Sequence, residues 1–330
     1  MTKIDFVIMW VDGSDQEWIK EKQKYSADKG DQSEVRFRDW ETLRYWFRGV
    51  EKYAPWVNRI HFVTWGHLPS WLDISNKKIN IVRHDEFIPE EYLPTFSSHT
   101  IELNLHRIKD LSDRFVLFND DTFIINETHE TDFFLNGVPC DMGVLYPGYA
   151  SKDSGVFSHI LLNDALFFTK YFNIKEVLKT NRNKWFNVCY GKHLLKTIMM
   201  LPFPEFTGFL LHHQPASYFK HTLEDVWLAE QECLENTCKM KFRTKDDVNQ
   251  YVFRYWQLGK GEFAPSNFFN RGNYVSVGEK SIDYIQTIVK SKYKLLCLND
   301  ADMEVNFAVE KNKMIKAFEE KFPSKSSFEL

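Results

Sequence analysis

The chain has 330 residues, of which 43% are hydrophobic and 16% aromatic, with 29 Phe, 14 Tyr and 10 Trp. That is enough for one large folded domain or two small ones, and it excludes a largely disordered chain. A formal net charge of −4 excludes a broad nucleic-acid footprint. Phe6–Trp10 reads as a buried strand that stops at the turn-forming run Val11-Asp12-Gly13-Ser14-Asp15. Lys20 to Gln32 is polar, an exposed loop or a frayed helix. Asp39 is placed to cap a helix over Trp40–Tyr53, ended by Pro55, with Leu43, Trp46, Phe47 and Val50 as its apolar stripe. Ile60–Thr64 and Ile79–Val82 read as two more strands. Ser97 or Ser98 opens a helix through about Leu111, and Arg114–Leu117 is a fourth strand. Strands alternating with helices at this spacing imply right-handed crossovers and a mostly parallel sheet flanked by helices.

The second half reads as more helical. Helices are expected near Gly191–Met200, Thr222–Glu235, Lys245–Gln257, Ile282–Lys290 and Glu304–Lys321, with a late strand at Lys294–Leu298 followed by Asn299-Asp300. Pro202, Pro204 and Pro215 bracket a loop that carries His212 and His213. No internal repeat or low-complexity segment is visible.

The run Phe118-Asn119-Asp120-Asp121-Thr122-Phe123 carries the chemistry. Two carboxylates at the exit of a buried strand are costly unless their charge is compensated. A divalent cation does this well, because carboxylate oxygens suit Mg2+ or Mn2+. The plain alternative is an Asx-type turn. In parallel sheets ligands sit beyond the carboxyl ends of the strands, so the Asp12 loop and the Asp120-Asp121 loop are expected to meet at one site. Asp12 and Gly13 either approach a nucleotide or form a simple turn. Arg36, Arg38 and Arg44 either grip a diphosphate with planar forks or make a solvated helix face. Trp10, Trp40, Trp46 and Trp65 read as core rather than as a stacking platform. His213 can serve as a general base or be merely a loop histidine. His84, His99 and His106 are weaker candidates.

The cysteines, Cys140, Cys189, Cys233, Cys238 and Cys297, form an odd, sparse set, which speaks for a reducing compartment and against a disulfide framework. Cys233 and Cys238 lack partners for a zinc site. The N-terminus has no signal-peptide pattern and no apolar stretch approaches the ~20 residues of a membrane span. The expected location is therefore cytoplasmic, and the sequon Asn126-Glu127-Thr128 carries no weight.

Several blocks in fixed order resemble the Stealth family, which includes bacterial capsule polysaccharide phosphotransferases and the animal lysosomal-enzyme N-acetylglucosamine-1-phosphotransferase. They are Asp5–Asp15, Arg36-Phe37-Arg38-Asp39 with Leu43-Arg44-Tyr45, Ala54–Val57, Val63–Gly66, Pro69–Leu72, Leu93–Ser98 with Ile101-Glu102, Asn119–Asp121, His213-Gln214-Pro215, Phe242-Arg243, Cys297–Asp300 and the tail Phe322-Pro323 to Leu330. The family often has Asn or Gln where Trp65-Gly66-His67 stands, a difference that touches substrate specificity. The chain resembles the compact bacterial form, without the inserted modules and membrane spans of the animal members.

The resemblance implies an α/β fold related to nucleotide-sugar glycosyltransferases of the GT-A type. It implies one catalytic domain, with residues 1–150 a nucleotide-sugar-binding half and 151–330 completing the site. It implies transfer of hexose-1-phosphate from a nucleotide-diphosphate sugar to a glycan hydroxyl, leaving a phosphodiester and releasing a nucleoside monophosphate. His213, Asp121 and Arg243 are the catalytic expectations. Trp10, Asp12, Gly13, Arg38, Arg44, Ser97, Ser98 and Glu102 are the substrate-binding ones. Asp120, Asp121 and Asp300 are the expected ligands of Mg2+ or Mn2+. The implied acceptor is a glycan, such as a lipid-linked oligosaccharide, with loose attachment at the inner membrane face. Lys311, Lys313, Lys316 and Lys321 either attract anionic lipid weakly or form an ordinary solvated face. The alternatives are a metal-dependent glycosyltransferase that releases nucleoside diphosphate, and a glycan-binding module without catalysis.

Overall fold

The computed structural model describes residues 3–33, 37–149, 155–277, 282–300 and 306–330. Four parallel strands, β1 (Ile4–Met9), β2 (Ile60–Thr64), β3 (Ile79–Arg83) and β4 (Arg114–Phe118), form the centre. The remaining strands are β5 (Thr122–Ile124), β6 (Phe134–Leu135), β7 (Val138–Asp141), β8 (Ala216–Phe219), β9 (Ala264–Pro265), β10 (Gly272–Val277) and β11 (Leu295–Asp300). The main sheet has the order β3-β2-β1-β4-β8, with β8 antiparallel at one edge.

This sheet is apolar on both faces, as its near-continuous hydrophobic strands require. Phe6 and Ile8 of β1 face one core, where Trp46, Phe47 and Val50 of the helix Leu43–Tyr53 cover them. Val7 faces the opposite core, with Leu103, Val226, Trp227 and Phe253 from three further helices. The architecture is a mostly parallel α/β sheet flanked by helices, as read from the sequence.

The chain runs outward from β1 to β2 and β3, then returns to place β4 on the other side of β1. Immediately after β4 it turns at Asn119–Asp121 and enters a different sheet. There β5 pairs antiparallel with β11, and β11 pairs parallel with β10. The Leu298 amide donates to the Asp121 carbonyl at 2.9 Å, which fixes the corner between the two sheets.

Several expected boundaries move, each for a local reason. The helix expected from Asp39 begins at Leu43, with Thr42 in the cap position. Asp39 instead accepts from the Glu41 amide at 2.7 Å, and Glu41 has φ of 56°. In the segment Lys20–Gln32 the helix lies earlier, at Gln16–Gln23, where Asp15 caps it and buried Trp18 packs on Phe37 and Phe96. The helix expected to reach Leu111 stops at Asn104 and tightens into one 3-10 turn, Leu105–Arg107. The helix expected from Lys245 starts at Tyr251, because Asp247 closes a turn on the Thr244 amide and hydroxyl. Near Gly191–Met200 a 3-10 helix, Val188–His193, broken at Gly191, leads into the α-helix Leu194–Met200, and Ile282–Lys290 shrinks to one π-type turn at Ile285–Val289. The last helix is Phe307–Lys321, capped by Asn306, and Glu304 lies outside the described residues. Strands β8 and β10 and the helix Phe157–Tyr171 are additions to the sequence reading.

The C-terminal residues return to the first half. Phe328 is buried against Phe47, and Glu329 bridges to Leu72. Arg48 Nε and Nη2 donate to the two Glu329 carboxylate oxygens at 2.7 and 2.6 Å. The Glu329 side chain is only 1% exposed, so removing its partner strands a buried charge. Arg48→Met is expected to cost about 3 kcal/mol. An unchanged melting temperature in a thermal scan would count against the pairing.

Candidate active site

The strand order reverses between β1 and β4, and in open α/β sheets ligands lie outside the carboxyl ends of the strands at such a point. A crevice of about 1140 Å³ opens there, lined by Trp10, Asp120, Asp121, His213, Arg243 and Asp300 among others. An adjoining compartment of about 1000 Å³ is lined by Asp12, Gly13, Arg38 and Arg44. The two share Trp10, Arg38 and Asp39. The Asp12 loop and the Asp120-Asp121 loop therefore border neighbouring compartments with common walls. Arg36 lies outside the described residues.

His213 approaches the aspartate corner from the segment preceding β8. Its Nε2 stands 3.2 Å from Asn119 Nδ2 and 3.4 Å from Asp121 Oδ2. A neutral imidazole accepts at that atom from the Asn119 amide, and a protonated one donates to Asp121. Both protonation states thus have a partner, which suits a group that gains and releases a proton. The Cys297 thiol of β11 donates to Asp121 Oδ2 at 3.4 Å. Burial, then Asp121 and Asp120, push this thiol well above its ordinary range, so it stays protonated.

Asp120 is exposed to solvent, but within the crevice that it helps to line. The protein packed around it, then the carboxylates of Asp121 and Asp39, push its carboxyl up to about 7. A carboxyl raised from 3.8 binds its proton more readily in the folded chain. Stability therefore falls as pH rises through the window between about 4 and 7. Asp120→Asn is expected to abolish that fall. Above pH 7 and without added metal the variant should be more stable by about 1 kcal/mol, the solvent in the crevice screening the repulsion. Parallel melting curves for parent and variant across this range check the sign.

The residues fit a divalent cation. Asp121 Oδ1 is buried and without a protein partner, and Asp120 beside it is held in an acidic environment that a cation would relieve. Donor atoms of Asp121, His213 and Cys297 lie within 4.8 Å of one another. With the thiol protonated, the donors are the Asp121 carboxylate, its neighbour Asp120 and the His213 imidazole; the carboxylate oxygens suit Mg2+ or Mn2+. Asp300 is already engaged. Its Oδ1 accepts from Arg38 Nη2 at 2.8 Å and its Oδ2 from the Trp40 indole at 3.1 Å.

The cationic wall is built as a chain. Arg243 Nη2 donates to Ser98 Oγ at 2.6 Å, Ser98 Oγ donates to Glu102 Oε1 at 2.9 Å, and Glu102 Oε2 accepts from the Gln250 amide. Ser97 precedes this helix and is buried. Arg44 lies over the Trp71 ring in the adjoining compartment. Asp12 Oδ1 accepts from the Ser14 amide and hydroxyl, the arrangement of a simple turn. A Cβ on Gly13 would overlap the Phe37 carbonyl oxygen, so this glycine is required by the chain's own packing. Gly13→Ala is expected to cost about 2–3 kcal/mol, and a denaturant midpoint equal to the parent's would refute that. Trp46 is core, and Trp10 and Trp40 pack on the same core while also lining the crevice.

Two polar clusters were not read from the sequence. Arg254 Nε and Nη2 clasp Asp141 at 2.9 and 3.0 Å in full burial, and the same Nη2 holds the Leu210 carbonyl at 3.3 Å. This anchors the segment that leads to His213. His212 lies inside the cluster, stacked on Phe268, and burial lowers its pKa to about 4. It is therefore a core histidine, unlike its neighbour. His99 lines the crevice with Nδ1 bound to Asp247 at 2.8 Å. His84 and His106 are lowered to about 3 by burial.

Residues 2–30 match the family model for Stealth protein conserved region 1, and residues 36–140 that for conserved region 2. A capsular polysaccharide phosphotransferase, WcwK of Streptococcus pneumoniae, is 44% identical over 100% of this chain and 98% of its own length. A receptor polysaccharide phosphotransferase, WefC of Streptococcus gordonii, is 38% identical over 99% of each chain. An exopolysaccharide phosphotransferase, cps2G of Lactiplantibacillus plantarum, is 37% identical over 99% of this chain and 96% of its own. Among solved structures, the galactosyltransferase LgtC aligns over 98% of this chain and 96% of its own, at 11% identity and a TM-score of 0.39. That likeness is too distant to carry a functional argument.

Proposed function

The chain belongs to the Stealth family, and from that premise we propose that it is a phosphotransferase of bacterial surface-polysaccharide synthesis that moves hexose-1-phosphate from a nucleotide-diphosphate sugar to a glycan hydroxyl. The observation that carries this reading is the Asn119–Asp121 corner at the reversal of strand order. There Asp121 keeps one oxygen without a protein partner and presents the other to His213.

The acceptor oxygen attacks the phosphorus next to the sugar, and its proton passes to His213 Nε2. The bond between the two phosphoryl groups breaks, and its electron pair leaves with the nucleoside monophosphate. The anomeric bond stays intact. Such a transfer depends on alignment and charge neutralisation more than on covalent catalysis. Mg2+ or Mn2+ held by Asp120 and Asp121 would supply positive charge against the diphosphate, while Asp300, engaged by Arg38 and Trp40, orients Arg38. Arg38 and Arg243 offer planar forks to the same groups, and Arg44 extends this wall. Ser97, Ser98 and Glu102 fix the Arg243 side of the crevice, and Trp10, Asp12 and Gly13 border the donor compartment. In this reading residues 1–150 hold the donor, and residues 151–330 complete the site through His213 and Arg243. The acceptor is a glycan, carried on lipid.

Lysine at both Arg38 and Arg243 keeps the charge but loses the fork. The double variant is expected to raise donor KM about tenfold or more, and unchanged steady-state kinetics would make both arginines structural. The reaction itself is tested with a panel of nucleotide sugars and mass spectrometry of the products. Nucleoside monophosphate and a phosphodiester support it. Nucleoside diphosphate and a glycosidic bond would make the protein a glycosyltransferase instead.

A further inference from the structure

The short helix Leu194–Met200 is turned with its apolar side outward. Thr197 is fully buried and accepts from the Leu145 amide at 3.1 Å through Oγ1. Leu194 packs inward on a cluster containing Met142, Val144 and Leu210. Leu195, Ile198 and Met199, which share the opposite face by their spacing, are 62%, 46% and 68% exposed. The turn that follows continues this surface with Leu201 and Phe203, also exposed. Isolated exposed apolar residues are ordinary, but a contiguous helix face with its flanking turn marks an interaction surface.

The charge around this surface specifies the partner. From Lys175 to Glu205 the chain carries six Lys or Arg residues (Lys175, Lys179, Arg182, Lys184, Lys192, Lys196) against two Glu, Glu176 and Glu205, in a protein of net charge −4. Arg182 and Lys192 are exposed, and Lys196 lies over the Tyr146 ring beside the helix. An apolar face with this excess of basic over acidic residues around it is complementary to anionic headgroups above an acyl boundary. The tail helix that the sequence offered for this role is less suited. There Lys311 and Lys313 pair with Glu41 and Glu310, and Lys321 donates to Asn126.

We propose that the face formed by Leu195, Ile198, Met199 and Phe203 docks this protein on the surface of a bilayer that contains anionic phospholipid. The surface is joined through the chain to the reactive site, because the loop that begins at Leu201 leads on to His213. The docking goes beyond the transfer reaction and does not depend on it.

The test is flotation of the full chain with vesicles of phosphatidylcholine alone or mixed with phosphatidylglycerol, with no donor or acceptor present. The parent is expected to float with the anionic vesicles and to dissociate as salt rises. Leu195→Ser with Met199→Ser should weaken binding about a hundredfold, roughly tenfold for each apolar anchor. Lys192→Gln should weaken it about fivefold. Both variants alter exposed side chains, so circular dichroism should match the parent, and turnover on a soluble glycan acceptor should persist. A parent that fails to float overturns the proposal, as does a serine double variant that floats like the parent. A parent dimer that the serine variant turns into monomers, seen by light scattering, would assign the face to a second copy of this chain and overturn it too.

Discussion

Asp121→Asn is expected to lower turnover roughly a hundred- to a thousandfold with little loss of stability. The substitution keeps the side-chain volume but removes the charge, and one acceptor oxygen, from the carboxylate that meets His213 and keeps its other oxygen without a protein partner. Folding gains little from that charge, because the Cys297 thiol and the Asp120 carboxyl crowd it and one of its oxygens has no protein partner. Two measurements separate a functional role from a structural one. Mg2+ or Mn2+ should raise the melting temperature of the parent, since a ligand that binds only the folded state stabilises it. The variant should not respond. Full activity in the variant, or in excess chelator, would sink the assignment of this carboxylate to metal and charge neutralisation.

His213→Ala should cost about a hundred- to ten-thousandfold in rate, the usual contribution of a general base, while donor binding stays nearly intact. The competing arrangement makes His213 a donor to the transferring phosphate, with Asp12 or Glu102 as base. The structure engages both rivals elsewhere. Asp12 Oδ1 is held by Ser14, and the Glu102 oxygens by Ser98 and the Gln250 amide. A base must be neutral to work, so activity should rise with pH through its titration. Asp120 titrates in the same sense, at about 7, and a rising limb alone does not identify the group. The limb must persist in Asp120→Asn and vanish in the residual activity of His213→Ala. Near-normal turnover in His213→Ala would remove both roles and leave a structural histidine.

The buried strands were legible because their residues are apolar on both faces, a pattern only a doubly covered sheet accepts. The β4 exit with its two carboxylates was legible because ionised groups there need a reason. Strand β8 was not, since Ala216-Ser217-Tyr218-Phe219 is short and follows a proline, and its strand state comes from pairing with β4. The helix starts at Leu43 and Tyr251 were misplaced because Asp39 and Asp247 close turns of their own. Long-range partnerships lie beyond local pattern altogether. His213 meets Asn119 across 94 positions, Arg254 meets Asp141 across 113, and Arg38 meets Asp300 across 262. Of the site, the residue types and their loops were readable, whereas the exclusion of His212 and the engagement of Asp300 required the fold. The pair His212 and His213 shows why: adjacent in sequence, one faces Phe268 and the other the crevice.

The return of Phe328 and Glu329 onto the helix Leu43–Tyr53 has a temporal meaning. During synthesis, Arg48 and the Phe47 side of the sheet are made nearly three hundred residues before the groups that cover them. Strand β4 likewise waits for β8, and β5 for β11. The first half therefore leaves the ribosome with an open edge and an uncovered aromatic face, and it closes only once the last residues emerge. Holding those surfaces apart in the interval is work suited to a chaperone, and truncation before residue 328 should leave a nascent chain that clings to one.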